Sequence, residues 1–560
     1  MPTNVPVREA PFPFSLANAA PTDTADHEPL LEVGDIQGNI LAGFNKDNQT
    51  LMFLEINEPI QFKKWLESII PFIATTDEVL QFNRLFKSIR TRRGVETGTI
   101  LATWLNIAFS FRGLKKLDNE ETEEFKDEAF RKGLAKRSSV LSDPLEGEGC
   151  QKNWLIGGED NEADLVLIVA SDSPDEMGTA VRRLESWIYE GTHVDNKVIS
   201  SGLSVIFKQR GATLPDPLRG HEHFGFLDGV SQPGIRGIVG SKGELLTPKQ
   251  NPADPNQGKP GQDRLWPGEF VFGYPAQDPK DSGKRGKIKT EGPSWAKNGS
   301  FLVFRRLRQD VGAFHEFLER EGDRLNLGAG QFGAKCVGRW ASGAPIERAH
   351  TTDNLKMSRD DCANNAFDFQ KDTIPRAPTT AGQCRDKFPL ELAKKDIAGA
   401  VCPFAGHIRK AYPRDDVSSN PKNSSPNEAD TETHRLLRRG IPFGDPFDPT
   451  VIPDDGNRGL LFLAYQTSIV KQFEFVTTQW VNNPSFKDPG SGHDPILGQS
   501  NKNGCRERSF TLKLRNGEEQ TIRLEKDFVI PTGGGYFFAP SISAMDKLSN
   551  TALNSTNKRS

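Results

Sequence analysis

The sequence predicts an α+β protein built from two copies of a βαββαβ unit. Three observations carry this. A strand-like run followed by a helical run occurs twice in the first half of the chain. The same order occurs twice more in the second half. A length of 560 residues is enough for two domains with sizeable cores.

The elements follow in order. Residues 1–30 are rich in Pro, Ala and Thr without periodicity and read as a flexible N-terminal arm. The first unit is placed at 31–239. Within it, residues 104–111 alternate as a strand, and Arg112-Gly113-Leu114 turn into a charged helical segment. Residues 164–170 form a buried strand, and Met177, Val181, Leu184 and Ile188 mark one face of the helix after it. Residues 240–299 are Pro-, Gly- and Lys-rich and read as a long loop insertion. The second unit is placed at 300–546. Its strand at 300–307 leads to a helix around Val311, Phe314 and Phe317. Its strand at 459–465 leads to a helix through Ile469, Phe473 and Val476. Residues 413–433 are a polar loop, and 547–560 a polar tail.

Composition excludes several classes of function. The net charge is −4 and the sequence pI about 6.2, which argues against a nucleic-acid partner. A mean hydropathy of −0.55, with no apolar run of about 18 residues, argues against a membrane span. Met1 to Ala20 carry one basic residue, Arg8, and prolines interrupt the apolar part, which makes no convincing signal peptide; the location is read as cytoplasmic or left open. The six cysteines form no CxxC pair and are too sparse for a disulfide scaffold, so all are expected to be buried or free thiols.

Three segments carry chemistry. The first, His223-Phe224-Gly225-Phe226-Leu227-Asp228-Gly229-Val230-Ser231-Gln232-Pro233, sets an acid among apolar residues and two glycines. Asp-Gly is also a common turn, and alone the segment reads as one. A carboxylate in an apolar setting needs hydrogen bonds or a cation. The second is Cys402-Pro403-Phe404-Ala405-Gly406-His407-Ile408-Arg409-Lys410. The third is His434-Arg435-Leu436-Leu437-Arg438-Arg439-Gly440-Ile441-Pro442. In this order, with Asp35-Ile36-Gln37-Gly38-Asn39 near the start and Gly534-Gly535-Tyr536-Phe537-Phe538 near the end, they resemble the dye-decolourising peroxidases. The long insertions are similar to the larger subgroup of that family.

The resemblance implies a duplicated ferredoxin-like fold holding one haem b per chain in the C-terminal half. It makes His407 the axial ligand of the haem iron, with Asp494 of Gly492-His493-Asp494-Pro495 as the acid behind it. Neutral imidazole is a common haem ligand, and a carboxylate on its other nitrogen raises its basicity. Asp228 is then the catalytic base or proton shuttle, and Arg438 the charge stabiliser, with Arg439 as the alternative. Gly229, Leu460 and Phe462 line the haem pocket, and Gly440 leaves open space beside it. Cys402 is read as a small buried residue rather than a ligand, and His221 and His223 as pocket or surface residues. Trp480 matches a surface electron-transfer position, against the ordinary expectation of a packed tryptophan. Phe443 stands where some fungal members have Tyr, leaving Tyr412, Tyr465 and Tyr536 as tyrosines near the motifs. The implied activity is reduction of hydrogen peroxide and oxidation of dyes, phenols and similar aromatic donors through a ferryl intermediate, with no nucleic-acid or membrane partner and with a homodimer allowed. The alternatives are a non-catalytic haem carrier or sensor and a haem-processing relative. The first needs His407 but not the pairing of Asp228 with Arg438.

Overall fold

The computed structural model describes residues 28–93, 101–194, 197–240, 243–251, 254–373, 392–416, 427–451, 456–501, 505–514 and 516–550. Nine strands form its main sheet: β1 (Asn48–Ile56), β2 (Thr103–Phe109), β3 (Leu165–Ser171), β4 (Leu203–Ala212), β5 (Ser300–Gln309), β6 (Leu437–Arg438), β7 (Ile441–Phe443), β8 (Gly459–Gln466) and β9 (Val529–Ala539). Their order is β6-β8-β5-β9-β2-β3-β1-β4, with β7 also on β8. Every pairing is antiparallel. Each half therefore places its last strand beside its first, and its third between first and second, the order of a ferredoxin-like βαββαβ unit. The halves join at one pair, Phe538 of β9 opposite Phe109 of β2.

The sheet curls into a barrel. Phe53 of β1 meets Phe304 of β5 at 4.9 Å between ring centroids, although three strands lie between them in the sheet. The ends approach as well: a Cβ added at Gly211 of β4 would stand 2.9 Å from the Pro442 carbonyl of β7. Alternation along the strands serves both faces. Leu51, Phe53, Leu302, Phe304, Leu461 and Leu463 fill the inner core. Met52, Leu54, Phe301, Val303 and Phe538 face the outer core, with Phe62, Trp65 and Leu66 of the helix Pro59–Ile69. The expected helix over Met177 to Ile188 is Pro174–Tyr189, and Ser173 caps it by accepting from the Glu176 amide.

Four readings change. Residues 240–299 are not a plain loop. Leu265, Phe270, Val271 and Tyr274 enter the inner core, and Phe272 and Trp295 the outer one. The region is rich in Pro and Gly because its backbone turns often, yet its apolar residues are packed. The expected tail begins inside the helix Ile542–Asn550, where Leu548 is buried; residues 551–560 lie outside the described residues. So do residues 1–27, most of the expected arm. The helix expected over Ile469 to Val476 is a short turn at Phe473–Phe475 that widens into a π-turn over Val476–Val481. Finally, Cys362 is disulfide-bonded, which overturns its reading as a thiol: sparse cysteines still pair when the fold brings them together. Cys150, Cys336, Cys402 and Cys505 are free, and Cys384 lies outside the described residues. Among the described residues no helix is long and apolar enough to cross a membrane.

Candidate active site

On the outer side of the second unit lies a cavity of about 330 Å³. Leu460 and Phe462 project into it from β8, and Arg305 and Leu307 from β5. Their period-2 spacing puts each pair on one face, while Leu461 and Leu463 point into the barrel. The segment after β4 closes one side with Asp228 and Gly229, and the helix His407–Ala411 contributes His407 and Ile408.

The acid loop turns through two glycines with positive φ, Gly225 at +94° and Gly229 at +75°. This conformation, not a lack of room, is what requires glycine, since a Cβ at either would meet nothing within 4 Å. The Gly229 amide donates to Asp228 Oδ1 at 2.6 Å. Arg438 Nη1 donates to the same oxygen at 3.0 Å, and its Nη2 to the Ser231 carbonyl at 3.2 Å. The Asp228 and Arg438 side chains are 36% and 32% exposed, and both line the cavity. Burial pushes the Asp228 carboxyl up, but Arg438 and the Gly229 amide more than offset this and leave it below the ordinary value.

Arg439 is a different residue in kind. It leaves the strand on the other side and donates to the carbonyls of Asn39, Ile40, Leu41 and Arg438, each at 3.0 Å. Of the two arginines, the cavity receives Arg438.

His407 opens its helix, with Gly406 at the N-cap. Its Nδ1–H donates to Asp494 Oδ2 at 2.7 Å, so Nε2 is the nitrogen left for a ligand. The other Asp494 oxygen accepts from the Ile496 and Leu497 amides at 2.7 and 3.0 Å. Burial alone would lower the His407 pKa, but the charge and hydrogen bond of Asp494 raise it overall. The helix is anchored from behind: Arg409 bonds to Asp396 and Asp416, and Lys410 donates to the Asn483 carbonyl.

The cavity thus joins Asp228, Gly229, His407, Arg438, Leu460 and Phe462, with Asp494 directly behind His407. Other expectations change. Trp480 is fully buried, not at the surface: it stacks on Phe486 at 5.7 Å and meets the edges of Phe475 and His434 at 5.4 Å each. Gly440 does not leave open space, because a Cβ there would stand 2.9 Å from the Leu461 carbonyl. Cys402 is buried and its thiol is pushed up by burial, as a small core residue requires. His223 is buried against the Phe443 carbonyl and its pKa falls to about 4. Phe443 is buried beneath the Arg306 guanidinium.

Sequence reasoning missed several supporting residues. The Gln232 amide brackets the Arg438 backbone, donating to its carbonyl at 3.0 Å and accepting from its amide at 3.3 Å. The buried pair Arg305–Asp143 (2.8 Å) lines the cavity, and Arg305 Nε has no hydrogen-bond partner among the described residues. Asn365 bonds to the Val230 carbonyl and is held in turn by Arg339. Only Gln232 carried a signal, its place next to the acid motif.

The donor set fits haem. One imidazole nitrogen faces a largely apolar cavity whose wall also carries Arg305, Arg339 and Arg414, cations suited to the carboxylates of a flat apolar macrocycle. Among the described residues no cluster of three or more His, Cys, Asp or Glu side chains could hold a metal ion without such a group.

Comparison with known proteins gives the family. Residues 35–202 match the family model of the DyP dimeric alpha+beta barrel domain, and residues 390–490 that of the Dyp-type peroxidase C-terminal region. The chain is 32% identical to dye-decolorizing peroxidase msp1 of Mycetinis scorodonius, covering 96% of this chain and 91% of that protein. It is 30% identical to a dye-decolorizing peroxidase of Exidia glandulosa, covering 94% and 89%. Among solved structures, an ancestral D-type dye decolorizing peroxidase superposes with a TM-score of 0.70 at 32% identity, covering 93% of this chain and all of that one. The crystal structure of a decolorizing peroxidase from Auricularia auricula-judae gives 0.68 at 30% identity with the same coverage. The chain belongs to the dye-decolourising peroxidase family.

Proposed function

We propose that this chain is a haem peroxidase that reduces hydrogen peroxide and oxidises dyes, phenols and similar aromatic donors, with one haem b per chain. The observation that carries the reading is that a single cavity joins the Asp228–Arg438 ion pair to the ligand-competent nitrogen of His407. A haem carrier or sensor has use for His407 but none for that pair.

His407 Nε2 would hold the iron, and Asp494 keeps the Nδ1 proton and so fixes ring and tautomer. Arg339 and Arg414, in the cavity wall, would hold the carboxylates of the macrocycle. Haem bound there supplies the redox-active iron through which peroxide is reduced. Asp228 takes the proton from one peroxide oxygen and returns it to the other, which leaves as water. Arg438 and the Gly229 amide hold Asp228 as an anion until that moment. Arg438 also offsets the charge developing as the O–O bond breaks. Leu460 and Phe462 keep bulk water from the reacting oxygens. A homodimer is the assembly we expect, in keeping with the name of the family model at 35–202.

The test is peroxide-dependent bleaching of an anthraquinone dye by haem-loaded protein, beside Asp228→Asn. Bleaching by the wild type, and its loss in a variant with an unchanged haem-to-protein ratio, is expected. A loaded wild type that bleaches nothing refutes the reading.

A further inference from the structure

The mechanism above leaves unused one phenol in the cavity wall, that of Tyr412. It follows His407 by five residues and lies just past the end of the same helix. Its hydroxyl donates to Asp263 Oδ2. The same carboxylate oxygen accepts from Arg435 Nη1 at 2.8 Å, and the Arg435 guanidinium lies 3.6 Å from the centre of the Tyr412 ring. Asp263 is itself buried. Beyond it stand Glu432 and Glu428, both of which feel its charge. The Glu428 side chain is 28% exposed and meets Lys371 at 3.1 Å.

A phenol gives up an electron easily only when its proton has somewhere to go, because the oxidised ring is a strong acid. Tyr412 combines a place in the cavity wall with a carboxylate acceptor already bonded to its hydroxyl. Tyr536 also donates to a carboxylate, Glu474 at 3.1 Å, but it does not line this cavity. Tyr274 donates to the Asn298 amide oxygen, and the Tyr465 hydroxyl accepts from Asn39.

We propose that Tyr412 is a redox-active residue whose proton acceptor is Asp263. This rests on the peroxidase reading, which supplies the oxidant. The oxidising equivalent that peroxide leaves in the site takes one electron from the Tyr412 ring. The phenolic O–H bond breaks, its proton passes to Asp263 Oδ2, and a neutral tyrosyl radical remains. An aromatic donor then returns the electron, and Asp263 returns the proton. Arg435 holds the acceptor oxygen in place through its own hydrogen bond to it.

Haem-loaded protein is mixed with one equivalent of hydrogen peroxide without donor, frozen, and examined by electron paramagnetic resonance. The wild type is expected to give a tyrosine radical whose signal narrows when the protein is made with ring-deuterated tyrosine. Tyr412→Phe should lose the signal with its Soret band unchanged, Tyr536→Phe should keep it, and Asp263→Asn should weaken it. Should Tyr412→Phe fail to take up haem, 3-fluorotyrosine placed at position 412 decides, and a fluorine splitting of the signal is expected. Peroxide consumption without a tyrosine radical, persistence of the signal in Tyr412→Phe, or an unsplit signal overturns the inference while leaving the peroxidase reading intact. A holoenzyme that does not consume peroxide overturns both.

Discussion

Arg438 and Arg439 are neighbours in sequence, yet replacing each by Leu should damage different properties. Arg438→Leu removes the cation bonded to Asp228 at 3.0 Å in the cavity. Loss of one well-placed charge stabiliser costs roughly 10²–10³ in rate. Its side chain is about one-third exposed to the cavity, so folding stability should change little. Arg439→Leu instead strips the donor from four carbonyls, three of them in the short helix Gly38–Leu41. A hydrogen bond from a charged donor contributes about 1.5–3 kcal/mol net. Water can replace some of these four and the terms are not additive, so a loss of about 3–5 kcal/mol is expected. Stopped-flow reaction with peroxide and urea unfolding, run on both haem-loaded variants, separate the two effects. Arg438→Leu should be slow and stable, and Arg439→Leu unstable but fast in the fraction that remains folded. The opposite pattern would refute the assignment of Arg438 to the cavity.

Three further outcomes are expected. Because Arg438 and the Gly229 amide outweigh burial and hold the Asp228 carboxyl below its usual range, the base form survives as pH falls through about 3.9. The acid limb of the peroxide reaction should lie below that value; in Arg438→Leu burial is opposed by the Gly229 amide without Arg438, and the limb should move to higher pH. An unmoved limb would remove Arg438 as the cause. His407→Ala should lose stable haem binding, read as the Soret-to-protein absorbance ratio of the purified variant; a normal ratio and spectrum would exclude His407 as the ligand. Asp494→Asn should keep haem but raise its reduction potential, because the imidazole loses an anionic acceptor and becomes a poorer donor; spectroelectrochemical titration giving an unchanged or lower potential would contradict this.

Much of the site was legible because its chemistry lies in short segments. Asp228 between two glycines, His407 after Gly406, and Arg438 before Gly-Ile-Pro each stand in a recognisable run. The strand-and-helix rhythm located four strands of the duplicated fold and the helices after three of them, since alternation at 104–111 and 300–307 reflects faces that pack on different cores. What the sequence did not reveal depends on contacts across the fold. Alternation separates Arg438 from Arg439 but does not say which side faces the cavity. Trp480 has the same local sequence whether exposed or covered, and only Phe475, Phe486 and His434 make it a core residue. Gly440 reads as open space until the Leu461 carbonyl of the neighbouring strand is seen against it. Composition likewise marks 240–299 as a loop, although Leu265, Phe270 and Val271 are buried. The bonds Gln232 makes to Arg438 span 206 residues, a distance no local pattern records.

The central claim is that His407 and the Asp228–Arg438 pair form one peroxide-cleaving site. It is tested most directly by rapid mixing of haem-loaded protein with one equivalent of hydrogen peroxide, following the Soret band and residual peroxide together. The account predicts a fast shift of the band with consumption of the peroxide in the wild type, and a strongly slowed shift in Asp228→Asn with its haem content unchanged. A wild-type band that stays fixed while peroxide persists, or an Asp228→Asn variant as fast as the wild type, would contradict it.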